Sequence, residues 1–123
     1  MTALQFINEQ MSALGINYEF NEWTSVVKYP YFVGEEYQTD EALTEDGAET
    51  SALLLVGFHR GSFLELADAH EKIKEHFNPI FGLRGKTGSG SIAVFFAGSF
   101  NIPSGEADLK KMQITLKIKE WKG

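Results

Sequence analysis

"ETSALLLVGF", residues 49–58, is a run of apolar and β-branched side chains that follows an Asp46-Gly47 pair. Asp-Gly is a turn signal between strands. Upstream of it lies "YPYFVGEEY", residues 29–37, equally rich in aromatic and β-branched side chains. Two such runs on either side of a turn predict an antiparallel hairpin. Pro30 has no N–H to give to a ladder, so it marks an edge or the start of the first strand. That strand is expected from Tyr31 to about Tyr37, and its return to about His59. Between them residues 38–49 are expected to form a long acidic tip.

Outward towards the N-terminus, residues 2–14 read as a helix. Thr2 and Gln5 make a capping box, and Gly15 is a natural stop. Ala3, Ile7, Met11 and Leu14 recur at helical spacing. Ile16, Tyr18 and Phe20 then alternate with polar residues, which predicts a short strand. Outward towards the C-terminus, Ser62 and Glu65 offer a second capping box. Phe63, Leu66, Ala69, Ile73 and Phe77 form the apolar stripe of a helix that Asn78-Pro79 ends. "GLRGKTGSGS", residues 82–91, reads as a flexible exposed loop, and "SIAVFFAG", residues 91–98, as a central strand. "FNIPSGEAD", residues 100–108, is a turn-rich connection. Residues 111–121 alternate strictly, with Met112, Ile114, Leu116 and Ile118 on one face and Gln113, Thr115, Lys117 and Lys119 on the other. The order is helix, short strand, long hairpin, helix, two strands. It predicts one α+β domain over residues 1–123, a mostly antiparallel sheet with two helices packed on it.

Composition agrees with one folded domain. The chain has 123 residues, 43% of them hydrophobic, including ten Phe. Cysteine is absent, which excludes disulfides and thiolate metal sites and fits an intracellular place of synthesis. No apolar run approaches the roughly 20 residues of a membrane helix, and no signal-peptide pattern opens the chain. The net charge of −6 argues against non-specific nucleic-acid binding, which needs a basic surface. Its distribution is uneven. Residues 1–56 hold ten acidic residues and one base, Lys28, whereas residues 57–123 hold ten bases and seven acidic residues. If the halves occupy different faces, the molecule is electrically polar and suits head-to-tail contacts between copies. If they interleave in one sheet, the asymmetry averages out.

Three stretches imitate chemical motifs. Gly85-Lys86-Thr87 is the end of a phosphate loop, but Ile80 stands where its first glycine belongs. The stretch also follows a helix and leads into a strand, the reverse of a phosphate loop's setting. "HEKIKEH", residues 70–76, imitates a zinc helix, yet Lys74 occupies the place of the second histidine. His70, His76 and His59 are therefore expected at the surface or its boundary, with His59 able to meet His70 through space. The acidic tip fails as a calcium loop, because Ala42 and Thr44 fall where early ligands belong. Ser25, Ser51 and Ser62 lack a nucleophile elbow. No catalytic, cofactor-binding or metal-ligating residue is expected, and the chain does not read as an enzyme. The alternative is a small ligand-binding domain or enzyme with a pocket between helix and sheet, its ligand held by His59, Arg60 or Arg84.

The pattern "YPYFVGEEY … EDGAETSALLLVGFHRGSFLELADAHEKIKEHF" resembles the tail-completion, or tail-terminator, proteins of long-tailed bacteriophages and prophages. The shared features are an N-terminal helix, "YPY" opening the first long strand, a hairpin ending in "GFHRGS", a charged Ala-containing helix and two closing strands. They span most of the chain, from about Thr2 to Trp121, and are structural in kind. The adjacent head–tail connector subunits are small ring formers as well, and these residues do not separate the two. The resemblance implies a homo-oligomeric ring, six copies to match the tail tube. Such a ring stops tube polymerisation and supports head–tail joining. Its partners would be the tube protein and the head–tail connector. DNA would pass through its lumen without specific binding, and no membrane would be involved. It also implies a hairpin loop that orders on assembly, here residues 38–49. Charge then proposes the interface: Tyr37, Asp40, Glu41, Glu45, Asp46 and Glu49 of one copy against Arg60, Arg84, Lys86, Lys117 and Lys119 of the next.

Overall fold

A computed structural model describes residues 1–21, 23–24, 26–88 and 90–122, with the side chain of Glu41 outside the description. Among the described residues, two helices and a six-stranded sheet form in the order α1 (Ala3–Ala13), β1 (Asn17–Phe20), β2 (Tyr31–Leu43), β3 (Glu49–Arg60), α2 (Phe63–His76), β4 (Leu83–Thr87), β5 (Gly90–Ile102) and β6 (Leu109–Lys122). Across the sheet the strands run β1-β2-β3-β6-β5-β4. The β1–β2 pair is parallel and the other four pairs are antiparallel. The α+β expectation holds, with one parallel edge in an otherwise antiparallel sheet.

Both helices start as their sequences direct. Thr2 accepts from the Gln5 N–H at 3.2 Å, and the Gln5 side chain accepts from the Thr2 N–H at 2.8 Å, which closes the capping box. At α2 the Ser62 hydroxyl accepts from the Leu64 N–H at 3.2 Å. The expected reciprocal bond from Glu65 does not form. Its carboxylate turns to His59 instead, 3.2 Å away.

The buried residues of α1 are Ala3, Phe6, Ile7 and Met11, so Phe6 takes the place expected for Leu14. Those of α2 are Leu66, Ala69 and Ile73, with Phe77 buried just beyond. Both helices cover one face of the sheet, whose inward residues include Phe32, Leu53, Leu55, Ile92, Val94, Met112, Ile114, Leu116 and Ile118. The strict alternation of β6 delivers its four expected core residues. After α2, the Phe96 N–H donates to the Phe77 carbonyl at 2.7 Å and ties the helix end to β5.

Two expectations about loops are overturned. The acidic tip is short, because β2 continues through residues 38–43 and only residues 44–48 turn. Within the turn the Thr44 N–H donates to the Ala48 carbonyl at 2.9 Å, the Ala48 N–H donates to the Thr44 hydroxyl at 3.0 Å, and the Thr44 hydroxyl donates to Asp46. No long loop remains there to order on assembly. The glycine stretch is no loop either, since residues 83–87 are the edge strand β4; Ser89 lies outside the described residues. Its glycines serve close packing. A Cβ at Gly85 would stand 2.4 Å from the Phe6 ring, and one at Gly90 would stand 1.9 Å from the Trp121 carbonyl oxygen. The last two strands also exceed expectation, with β5 reaching Ile102 across a bulge at Ala97. Among the described residues, no helix is long and apolar enough to cross a membrane.

Candidate interaction surface

The helices pack on one face of the sheet, and strand pairing assigns the residues of the second face. Directly opposed residues share a face. Lys119 opposes Thr50 on β3 and Ala93 on β5, and Ala93 opposes Arg84 on β4. On the far side the Thr50 hydroxyl donates to Asp40 Oδ2 at 3.1 Å. One row therefore crosses the outer face: Asp40, Thr50, Lys119, Ala93, Arg84. The adjacent row is Gln38, Ala52, Lys117 and Phe95. Acid stands at the β2 side of the sheet and base at the β6 and β4 side.

The expected interface residues divide into two groups. Some are already satisfied within the chain. Asp46 Oδ2 lies 3.7 Å from Lys119 Nζ, and Glu49 Oε2 lies 3.3 Å from Lys122 Nζ. The Thr44 hydroxyl, and after it Lys119, hold the Asp46 carboxyl below its usual pKa. The tip therefore meets basic β6 in its own molecule, because β3 and β6 are neighbours and Glu49 opposes Glu120. These carboxylates were expected to meet another copy, and within the chain they stand beside the lysines of β6. Tyr37 faces the core side and its hydroxyl donates to Ser51 Oγ at 3.2 Å.

Arg60 is also engaged at home. Its Nη1 lies 3.2 Å from Glu106 Oε2 and 3.1 Å from Asp108 Oδ2, and its Nε donates to the Tyr29 hydroxyl at 3.3 Å. These bonds, Tyr29 first, raise its pKa further above the ordinary arginine value. The Gly61 N–H donates to the Asp108 carbonyl at 2.8 Å. The cluster pins the β5–β6 connection to the end of β3, a structural role that no local spacing announces.

The second group has no opposite charge beside it. Among the described residues, Arg84, Lys86, Lys117, Asp40 and Glu45 make no ion pair, and neither do Glu35 and Glu36 on β2, which were not among the expected residues. The Arg84 guanidinium stands 5.9 Å from the centre of the Trp121 ring, and Lys119 stands at the same distance. Glu41 was expected to join the acidic side, but its side chain lies outside the description. The uncompensated charges are thus acidic on β2 and its turn, and basic on β4 and β6.

The three histidines stay apart. His59 is buried, not superficial, with Nε2 on Glu65 and Nδ1 without a hydrogen-bond partner among the described residues. It does not meet His70, whose Nε2 lies 2.8 Å from Ser99 Oγ. His76 Nε2 donates to Gln10 Oε1 at 2.7 Å. Among the described residues no three His, Asp or Glu side chains cluster as metal ligands. Hollows beside the helices are lined by Met1, Leu4, Asn8 and Phe20, or by Asn17, Pro30, Glu65 and Lys72, and His59, Arg60 and Arg84 line neither. Compared with known proteins, the chain matches no family model and no curated protein.

Proposed function

We propose that this chain is a structural subunit of a long-tailed phage or prophage. In this reading it caps the tail tube as a ring, ends tube polymerisation and supports head–tail joining. The observation that carries the proposal is the separation of uncompensated charge on the sheet face away from the helices, acidic at β2 and basic at β4 and β6. Unlike edges on one molecule favour heterologous contacts between identical copies, and such contacts build rings. The sequence layout, from the capped N-terminal helix through the "YPY" hairpin to the closing strands, supports the tail assignment. Six copies follow from the symmetry of the tube in the family it resembles. The subunit would assemble in the host cytoplasm and remain in the virion. The role requires surface complementarity and no turnover.

The test is electron microscopy of a parent phage or prophage carrying a stop codon at Trp23. Overlong tails beside tailless heads are expected. Tails of normal length that fail to join heads would reassign the subunit to the connector. Normal infectious virions would overturn the tail assignment.

A further inference from the structure

We propose that copies join edge to edge, with the outer edge of β2 beyond Gly34 lying beside β4 of the next copy and Asp40 facing that copy's Arg84. The inference rests on the ring reading above and specifies its joint.

The two edges are incomplete in matching ways. β1 pairs only with Tyr31–Gly34, and β2 runs on to Leu43. Asn21 adopts a left-handed φ of 78° and its N–H donates to the Gly34 carbonyl at 2.7 Å, so the chain turns off β2 at that point. Among the described residues, none pairs with 35–43 on that side. At the other end of the sheet β4 is outermost, five residues long, which fits within the unpaired length of β2. An unpaired strand edge presents N–H and C=O groups that template another strand.

Direction matches as well. Four successive antiparallel pairs lead from β2 to β4, so the two strands run the same way. β1 already lies parallel to β2. The neighbour's β4 would take up beside β2 where β1 stops, in the direction that β1 follows.

Charge selects the pairing. Two β2 edges would bring Glu35, Glu36 and Asp40 against themselves, and two β4 edges would oppose Arg84 and Lys86. Both isologous contacts are repulsive, and only β2 with β4 brings unlike charges together. The row through Asp40, Thr50, Lys119, Ala93 and Arg84 adds the geometry of closure. Asp40 and Arg84 end the same row, so a joint between them needs no step along the strands. A head-to-tail contact closes into a ring only when the rotation between copies closes, and a joint without a step avoids the climb along the strands that would open it into a filament.

The absence of cysteine makes the joint directly testable by the pair D40C/R84C. Within one chain these positions are four strand spacings apart, about 19 Å, beyond the roughly 7 Å limit of a disulfide. Any bond between them must link two copies. The variants are introduced into the phage lacking the protein, and assembled particles are run on non-reducing gels. A ladder of linked multimers is expected from the pair, and nothing beyond dimer from D40C or R84C alone. Charge exchange provides the second readout. D40R and R84D should each lower the infectious titre about tenfold or more, because each sets like charges face to face, and D40R/R84D should restore it. Particles with normal tails but no ladder, or a double exchange no better than the single ones, would overturn the joint while leaving the tail function intact. Failure of the tail function itself would appear in the stop-codon phage.

Discussion

Tyr18 illustrates what single residues decide. It is the buried member of the short alternating run Ile16, Tyr18, Phe20, and its ring lies against Gly34, where a Cβ would stand 2.5 Å from the hydroxyl oxygen. Among the described residues that hydroxyl has no hydrogen-bond partner, and burial pushes its pKa up to about 12. The folded chain holds this proton to higher pH than the unfolded chain does. Stability should therefore be level below about pH 10 and fall as pH rises from 10 towards 12, by about 3 kcal/mol for a two-unit shift. Tyr18→Phe removes both the titration and an unsatisfied buried oxygen. Urea denaturation should find the variant at least as stable at pH 8 and visibly less sensitive to alkali. An identical alkaline loss in both proteins would show that Tyr18 is not the group responsible. The inward position of Tyr18 was legible from alternation. The burial of His59 was not, because it depends on Glu65 arriving from α2, and capping rules had assigned that carboxylate elsewhere. Arg60 was equally illegible: its partners Glu106 and Asp108 lie 46 and 48 residues away.

At the scale of elements, local signals marked those whose chemistry is local. Thr2 with Gln5, Ser62 and the apolar stripes placed both helices, and alternation placed the two faces of β6. Elements sustained by neighbours were missed. Residues 38–43, Gln-Thr-Asp-Glu-Ala-Leu, are mostly polar and have little strand propensity of their own. They extend because β3 beside them is held by β6 along its whole length, and the Thr39 and Tyr37 hydroxyls meet Ser51 Oγ at 3.2 Å. The glycines of β4 and β5 looked like freedom but answer to packing. Gly90 is the sharpest case, since its Cβ would fall 1.9 Å from a backbone oxygen that cannot swing aside as a side chain would. Gly90→Ala should force the β5–β6 register apart at that end and cost about 1–3 kcal/mol, as overpacked sites do. The measurement is the urea midpoint. An unchanged midpoint would mean that the strand ends separate without cost.

For the molecule as a whole, the deciding feature is that the last strand lies in the middle. β6 sits between β3 and β5 and supplies Met112, Ile114, Leu116 and Ile118 to the core. No stretch of sequence announces this partnership, because the pairing of Glu49 with Glu120 spans most of the chain. The same partnership explains why the charge asymmetry of the two halves is only partly expressed. It brings the acidic turn and Glu49 against basic β6, which pairs Asp46 with Lys119 and Glu49 with Lys122, and leaves the outer strands charged. It also orders local stability. β3 and β6 have strands on both sides and helices over one face, whereas β1 and β4 are short edges. Amide hydrogen exchange should be slowest in β3 and β6, where only global unfolding frees the amides, and fastest among the strands in β1 and β4. If copies join along their edges, assembly should then slow exchange in β4 and in residues 35–43 of β2, and leave β3 and β6 unchanged. Exchange by mass spectrometry on dissociated and assembled protein reads both effects. Protection appearing on the helices instead would move the contact to the opposite face of the sheet, and the charged outer row would lose its role in assembly.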